Sequence, residues 1–298
     1  MKTIVAISII FTLFYSKPSI GQVQDSIPQI GLSVVSQFNQ GNSYITFPAD
    51  IGNIESLWFE GNLIPNFYLR QSKNSRLLGV ITPQIIIRMY QEKSFPVRTP
   101  SYMPQITAYY RLSSIKKSRS LNVFARLAHH SNGQDETFFL DDGSLNLKSG
   151  DFSTNFLELG LVATNQNLRL KAFQFFKTSV EIHPNGFIQD ELIGIYSQYR
   201  WHNTFSIFKL SSNNKPYPEK QLFSIKGETT WMFGRYNHLK PFSAERLNLS
   251  ITLYYHPTFF EDIGFFVQYY HGSDFYNMYF DHRLDMIRFG LMTDKLRF

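Results

Sequence analysis

The residues best suited to chemistry are His129 and Ser131, two positions apart, and Asn155, which follows at some distance along the chain. A serine hydroxyl becomes a nucleophile when a base takes its proton, and histidine is that base when a third polar group fixes its tautomer and orientation. Asparagine can orient the imidazole without adding a charge. Because side chains two positions apart on a β-strand share a face, the spacing allows a Ser–His–Asn hydrolytic site if this region is a strand. The alternative is that the histidine and serine are near each other by chance and that Ser131, Asn132 and Gly133 form a turn that starts a loop.

The segments around these residues alternate as half-buried strands do. One face of the first segment carries Val123, Ala125, Leu127, His129 and Ser131, and one face of the second carries Asn155, Leu157, Leu159 and Leu161. Arg126 and Glu158 point to the opposite face. The three candidate residues therefore lie at the ends of two apolar strand faces. This position suits an enzyme whose apolar face contacts lipid and whose substrate is a lipid.

The composition favours a β-rich protein. The 298 residues carry a net charge of +6 and no cysteine, and 16% of them are aromatic. This length allows one large β domain or two ordinary ones. A transmembrane β-barrel, in which a polar lumen offsets an apolar belt, fits these values, as does a soluble all-β protein. The basic residues are scattered without a dense run, so nothing indicates nucleic-acid binding. Because the chain has no cysteine, no disulfide stabilises the fold.

The N-terminus indicates export. Lys2 precedes an apolar run from Ile4 to Tyr15, and Ser19 and Gly21 supply the small residues of a cleavage site, so residues 1–21 are interpreted as a cleaved signal peptide. The apolar run is too short to cross a bilayer as a helix, and no later stretch is long enough. Residues 22–42 are interpreted as a periplasmic N-terminal tail and residues 43–298 as a β-barrel domain.

Strand-like alternation recurs along the rest of the chain, in segments separated by turn residues. The predicted strands are Ser43–Ala49, Trp58–Leu69, Arg76–Gln91, Tyr102–Ser114, Ser120–Ser131, Ser153–Thr164, Leu168–Val180, Glu191–Trp201, Leu222–Phe233, Arg246–Tyr255, Asp262–His271 and Met286–Phe298. Short and long connections alternate, as in outer-membrane barrels with short periplasmic turns. The prediction is an all-β, transmembrane antiparallel barrel of about 12 strands in the bacterial outer membrane, with Ser131 near the outer leaflet.

Two motifs resemble one family. The run from Ala128 to Gly133 is similar to the active-site strand of the outer-membrane phospholipase A family, a twelve-stranded barrel that hydrolyses acyl esters of phospholipids. The family's Ser-x3-Arg-x3-Tyr-x-Pro-Gln pattern is matched by Ser94, Arg98, Tyr102, Pro104 and Gln105. The segment Phe223–Trp231 and the C-terminal segment are also similar, so the resemblance covers roughly residues 43–298.

The resemblance implies a role for each matching residue. His129 would be the base, Ser131 the nucleophile and Asn155 the orienting group, although the loop before Asn155 is longer here. The family uses calcium near the active site, with ligands from loops and from a dimer partner. The matching positions are Ser94, Gln134 through its carbonyl, and Asp151, where the family has arginine at the second and serine at the third. A carboxylate suits a hard cation. The implied protein is a calcium-dependent phospholipase A1/A2 that acts as a homodimer on membrane phospholipids.

Two other functions remain open at this stage. A lipid A deacylase carries a similar histidine and serine with glutamate as the third member, and Glu158 is the nearest candidate, although its alternation points it into the lumen. A non-catalytic, porin-like barrel needs none of these residues.

Overall fold

The computed structural model describes residues 30–48, 50–69, 75–94, 96–113, 118–167, 170–210, 221–293 and 296. The predicted signal peptide, residues 1–21, lies outside these ranges, as do residues 22–29 of the predicted tail. None of the helices in the described ranges is both long enough and apolar enough to cross a membrane.

Nearly all regular structure is β-strand. The strands are β1 Tyr44–Thr46, β2 Leu57–Leu63, β3 Phe67–Tyr68, β4 Leu77–Tyr90, β5 Ser101–Arg111, β6 Arg119–Ser131, β7 Ser153–Asn167, β8 Ala172–Ile182, β9 Tyr199–Leu210, β10 Gln221–Phe233, β11 Leu247–Tyr255, β12 Ile263–Ser273 and β13 Arg283–Thr293. The described residues also include the α-helix α1 at Leu32–Gln40 and 3₁₀ turns at Asp190–Leu192, Ala244–Arg246 and Asn277–Tyr279.

The sheet closes on itself. Neighbouring strands pair antiparallel from β4 through to β13, β13 pairs with β1, and β2 joins β1 to β4. The short strand β3 also pairs with β4, beyond the end of β2. The described chain thus forms a closed barrel of twelve antiparallel strands with one extra short strand, which confirms the predicted all-β barrel.

The two faces of each strand differ as the alternation predicts. In β6, Asn122 and Phe124 point inward and are buried, whereas Leu121 and Leu127 point outward and are 38% and 59% exposed. The same outward exposure recurs around the barrel, at Ile81, Ile106, Leu159, Val180, Ile225, Leu253, Val267 and Ile287 among others. The barrel therefore presents a belt of apolar side chains.

Some predicted strand bounds were wrong. The segment predicted as strand Glu191–Trp201 is mostly loop, and the strand in this part of the chain is β9. Its apolar residues resemble those of a strand, but Leu192 and Tyr196 are buried against other loops and not in the barrel wall. The predicted strand Trp58–Leu69 is likewise interrupted between β2 and β3.

The helix α1, which falls within the segment predicted as a tail, packs inside one half of the barrel. It ends at Gly41, whose positive φ of 84° is a helix-ending conformation that glycine adopts without strain. Its Phe38 ring lies 4.6 Å from that of Phe175, and Gln40 Nε2 donates to Thr107 Oγ1 over 3.0 Å. This half of the barrel, remote from Ser131, is filled by the helix and by inward-facing side chains.

The other end of the barrel is covered by its long loops. Three of them, β6–β7, β8–β9 and β12–β13, contribute the buried loop core: Phe138, Phe152, Ile188, Leu192, Tyr196, Met278 and Phe280. Between this core and α1 lies a cavity of about 450 Å³ with polar and charged side chains in its wall, among them Arg126, Glu181 and Arg288. The candidate residues of β6 and β7 lie at the end of the barrel that the loop core covers.

Candidate active site

Strands β6 and β7 bring two of the three candidate residues together. Their register places His129 opposite Asn155 and Ser131 opposite Ser153. His129 Nδ1 lies 2.9 Å from Asn155 Oδ1, a hydrogen-bond distance. Both side chains are partly buried and share the outward parity of Leu127. The two side chains are therefore within hydrogen-bond distance of each other.

Ser131 is the last residue of β6 and lies on the same face as His129, two residues further along. No hydrogen bond joins Ser131 to His129 in the described structure. Catalytic hydrogen bonds in ligand-free structures are often long and tighten only when substrate binds. The structure thus places His129 and Ser131 on one face of β6 without a hydrogen bond between them.

The turn after Ser131 is held by Asn132, whose part in this region could not be predicted from the sequence. Its buried side chain donates to Gly150 O over 2.7 Å and accepts from Phe152 N at 3.1 Å and Gln134 N at 3.2 Å. One side chain therefore joins the two ends of the long β6–β7 loop beside Ser131. A buried asparagine that satisfies several backbone groups cannot be distinguished from a turn asparagine by spacing alone.

The second sequence motif lies next to the site. Tyr102 of β5 pairs with Ser131 in the sheet, and its ring is 40% exposed on the outer face. Arg98 is buried, with its guanidinium 4.0 Å from the centre of the Tyr90 ring and an ion pair to Glu92. The motif therefore combines an exposed aromatic ring beside Ser131 with a buried arginine that stabilises the β4–β5 connection.

The three predicted metal ligands are only partly brought together. Asp151 N donates to Glu136 O over 3.0 Å, so the stretch that follows Gln134 lies against the stretch that ends at Asp151. Ser94 is exposed on the β4–β5 connection and makes no hydrogen bond or ion pair with either of them in the described structure. Nowhere in the described ranges do three His, Asp or Glu side chains form a group that could hold a metal ion.

The electrostatics around Asp151 nevertheless favour a cation. Partial burial raises the pKa of Asp151, and the neighbouring carboxylates of Glu191 and Asp135 raise it further. A cation would relieve this repulsion. Glu191 could not be linked to the site from the sequence because it belongs to the β8–β9 loop, a separate stretch of the chain.

Glu158, the alternative third member, points inward. Its carboxylate accepts from Arg126 at 2.7 Å, Lys177 at 3.0 Å and Ser179 at 2.6 Å. These contacts place it on the opposite face of β7 from Asn155. His130 also points inward, with Nε2 3.0 Å from Ser101 Oγ.

Comparison with known proteins gives a fold but no sequence relationship. No family model and no curated protein matches the chain. Outer membrane phospholipase A from Escherichia coli aligns over 91% of this chain and 98% of its own, with a TM-score of 0.57 and 13% identity. The calcium-bound dimer of the Salmonella typhi outer membrane phospholipase aligns over 91% and 94%, with a TM-score of 0.55 and 13% identity. An active-site mutant of the Escherichia coli protein gives 12% identity and a TM-score of 0.56 over 92% and 94%. At these identities the likeness concerns architecture, and the chain shares the barrel fold of outer membrane phospholipase A.

Proposed function

We propose that this protein is a phospholipase A of the bacterial outer membrane, which hydrolyses acyl esters of phospholipids with Ser131, His129 and Asn155. The observation that carries the proposal is the 2.9 Å contact between His129 Nδ1 and Asn155 Oδ1, with Ser131 on the same outward face. Residues 1–21 are the cleaved signal peptide in this proposal, and the chain reaches the membrane through export.

The chemistry is an acyl transfer in two halves. Ser131 Oγ attacks the acyl carbonyl, its proton passes to His129 Nε2, and the glycerol oxygen leaves with that proton. Water then attacks the acyl-serine, His129 takes its proton, and the fatty acid departs as Ser131 regains a proton. The N–H of Gly133, which has a φ of 67° and no acceptor within the described ranges, is available to stabilise the oxyanion.

The surroundings of the site favour a lipid substrate. Leu127, Tyr102 and Leu159 expose apolar surface on the outer face beside or below the three residues. An acyl chain that lies along this belt presents its ester at the level of Ser131. A water-soluble ester has no comparable reason to meet a nucleophile on the apolar side of a barrel.

Calcium and a second copy of the chain belong to the proposal. Gln134 through its carbonyl and Asp151 through its carboxylate would hold the ion, and Ser94 would come from a partner copy because it does not contact the other two within one chain. The raised pKa of Asp151 beside Glu191 and Asp135 supports a cation here. A bound calcium ion supplies positive charge for the developing oxyanion.

The two alternatives receive less support. A deacylase with Glu158 as third member would need that carboxylate on the outer face, whereas it accepts three bonds inside the barrel. A porin would need an open lumen, whereas α1 fills one half of the barrel and the loop core covers the other end.

The test is fatty-acid release from mixed phospholipid–detergent micelles by refolded protein, with calcium or with chelator. We expect release with calcium by the wild type and none by Ser131→Ala, whose folding is checked by its circular dichroism spectrum. A parallel assay with lipid A separates the enzymatic readings. Release from lipid A alone would replace the proposal with the deacylase, and no release from either lipid by folded wild type would leave a barrel without this chemistry.

A further inference from the structure

The orienting residue Asn155 is itself held by a segment of the β8–β9 loop. Asn155 Nδ2 donates to Phe187 O over 3.0 Å, and Asn155 N donates to the same oxygen over 2.8 Å. One backbone carbonyl therefore accepts both the main-chain and the side-chain amide of the asparagine. This contact belongs to no motif found in the sequence.

The carbonyl reaches this position because the hairpin between β7 and β8 changes register. Regular pairing ends where Leu157 lies opposite Ile182, and its continuation would place Pro184 opposite Asn155. A turn intervenes, closed by a 3.1 Å bond from Phe187 N to Pro184 O, so that Phe187 takes the place opposite Asn155.

Two contacts fasten the segment just after this carbonyl. Ser153 N donates to Gln189 Oε1 over 3.0 Å, and Gln189 N donates to Ser153 O over 3.1 Å. Ile188, between Phe187 and Gln189, points inward and is buried in the loop core. The Phe187 ring itself is 64% exposed, so only its backbone serves the contact.

The hydrogen bonds to the Phe187 carbonyl determine the orientation of the Asn155 amide and, through it, the tautomer of His129. A carbonyl oxygen only accepts, so the NH₂ group of Asn155 must face Phe187 and its Oδ1 must face His129. Oδ1 also only accepts, so a neutral His129 must carry its proton on Nδ1. Nε2 is then the unprotonated nitrogen that is able to take the proton of Ser131.

We propose that the segment Phe187–Gln189 is a positioning element that selects the catalytic tautomer of His129 through the Phe187 carbonyl and Asn155. The inference rests on the proposed function for its catalytic consequence, but the choice of tautomer is a property of the resting protein. Gln189 is the side chain that makes the element testable, because a backbone carbonyl cannot be removed by ordinary substitution.

The matched variants are Gln189→Met, which removes the acceptor for Ser153 N, and Gln189→Glu, which keeps one. Phe187→Leu is the control, since it retains the carbonyl. We expect Gln189→Met to lower kcat by roughly tenfold or more with little change in KM, because small displacements of catalytic groups lower rates steeply. Gln189→Glu and Phe187→Leu should stay close to the wild type. Asn155→Asp should also lose kcat, because its carboxylate would oppose the Phe187 oxygen.

The tautomer is read separately by NMR of protein with ¹⁵N-labelled histidine, with the His129 signals assigned by their loss in His129→Asn. We expect the Nδ1–H tautomer in the wild type and a mixture of tautomers in Gln189→Met. A wild type with Nε2–H, or a Gln189→Met variant with unchanged tautomer and kcat, would overturn the inference. A wild type that holds Nδ1–H yet hydrolyses no lipid would refute the proposed function and leave the positioning element standing.

Discussion

At the scale of single residues, the site joins groups whose surroundings differ sharply. His129 and Asn155 meet on the apolar outer face, where a neutral orienting group avoids the desolvation of a carboxylate. Asp151 lies beyond the strand ends, among other carboxylates. The proposed catalytic residues therefore lie on an apolar face, whereas the proposed metal ligand Asp151, four residues from Asn155 in the chain, lies in a region of negative charge.

Asp151 should make calcium binding depend on pH. Its pKa is raised by burial and by Glu191 and Asp135, so protonation competes with the cation at a higher pH than for an ordinary aspartate. We expect calcium affinity, measured by isothermal titration calorimetry, to fall as the pH is lowered from neutral into the acidic range. Asp151→Asn should weaken binding and remove most of this dependence. An unchanged pH profile in that variant would show that Asp151 is not a ligand.

Glu158 is expected to matter for stability. Its carboxylate balances Arg126 and Lys177, whose side chains are each only 12% exposed. Glu158→Gln leaves two largely buried cations without their carboxylate partner, and we expect the free energy of unfolding to fall by roughly 3 kcal/mol. Glu228→Gln is the control, because the Lys226–Glu228 pair is more exposed and should contribute about 1 kcal/mol or less. Equal losses in urea unfolding of the two variants would contradict this assignment.

At the scale of secondary-structure elements, α1 is the part whose role is easiest to isolate. Phe38 packs against Phe175 and Phe208 inside the barrel. Phe38→Ala should weaken this packing by about 3 kcal/mol and release the helix from the lumen. We expect frequent conductance steps in planar bilayers for the variant and a quiet record for the wild type. Similar traces for both would mean that the lumen stays closed without the helix.

The alternation of strands such as β6 and β7 was predictable, because one face of each contacts the barrel interior and the other faces outward. Two elements were not. The sequence of α1 does not indicate that its apolar residues pack against the inside of the barrel. The apolar residues of the β8–β9 loop have the pattern of a strand. Both are tertiary effects, since these side chains are buried by segments distant in sequence.

Part of the candidate site could likewise be predicted from the sequence, and part could not. His129, Ser131 and Asn155 could be placed on one face from strand parity, and the pairing of β6 with β7 brings His129 to Asn155. The carbonyl of Phe187 and the charge of Glu191 could not be anticipated, because both enter through a loop whose path depends on the buried side chains beneath it.

At the scale of the whole molecule, the barrel has an apolar belt whose ends should mark a membrane interface. All three tryptophans lie near the strand ends from which the long loops leave: Trp58 at the start of β2, and Trp201 of β9 paired with Trp231 of β10. Tryptophan favours the level of the lipid headgroups. In vesicles, we expect lipids brominated close to the carbonyl to quench the fluorescence more than lipids brominated near the chain end. Stronger quenching by the deep label would contradict this depth.

In the proposed mechanism, His129 activates Ser131 as a nucleophile on the outer face of the barrel. The most direct measurement is reaction of the folded protein in detergent with a fluorophosphonate, followed by mass spectrometry of the peptides. Ser131 Oγ would bond to phosphorus as fluoride leaves, with the hydroxyl proton taken by His129. We expect one adduct, on Ser131, formed by the wild type and almost absent from His129→Asn. No adduct on Ser131, or one that forms equally fast without His129, would contradict it.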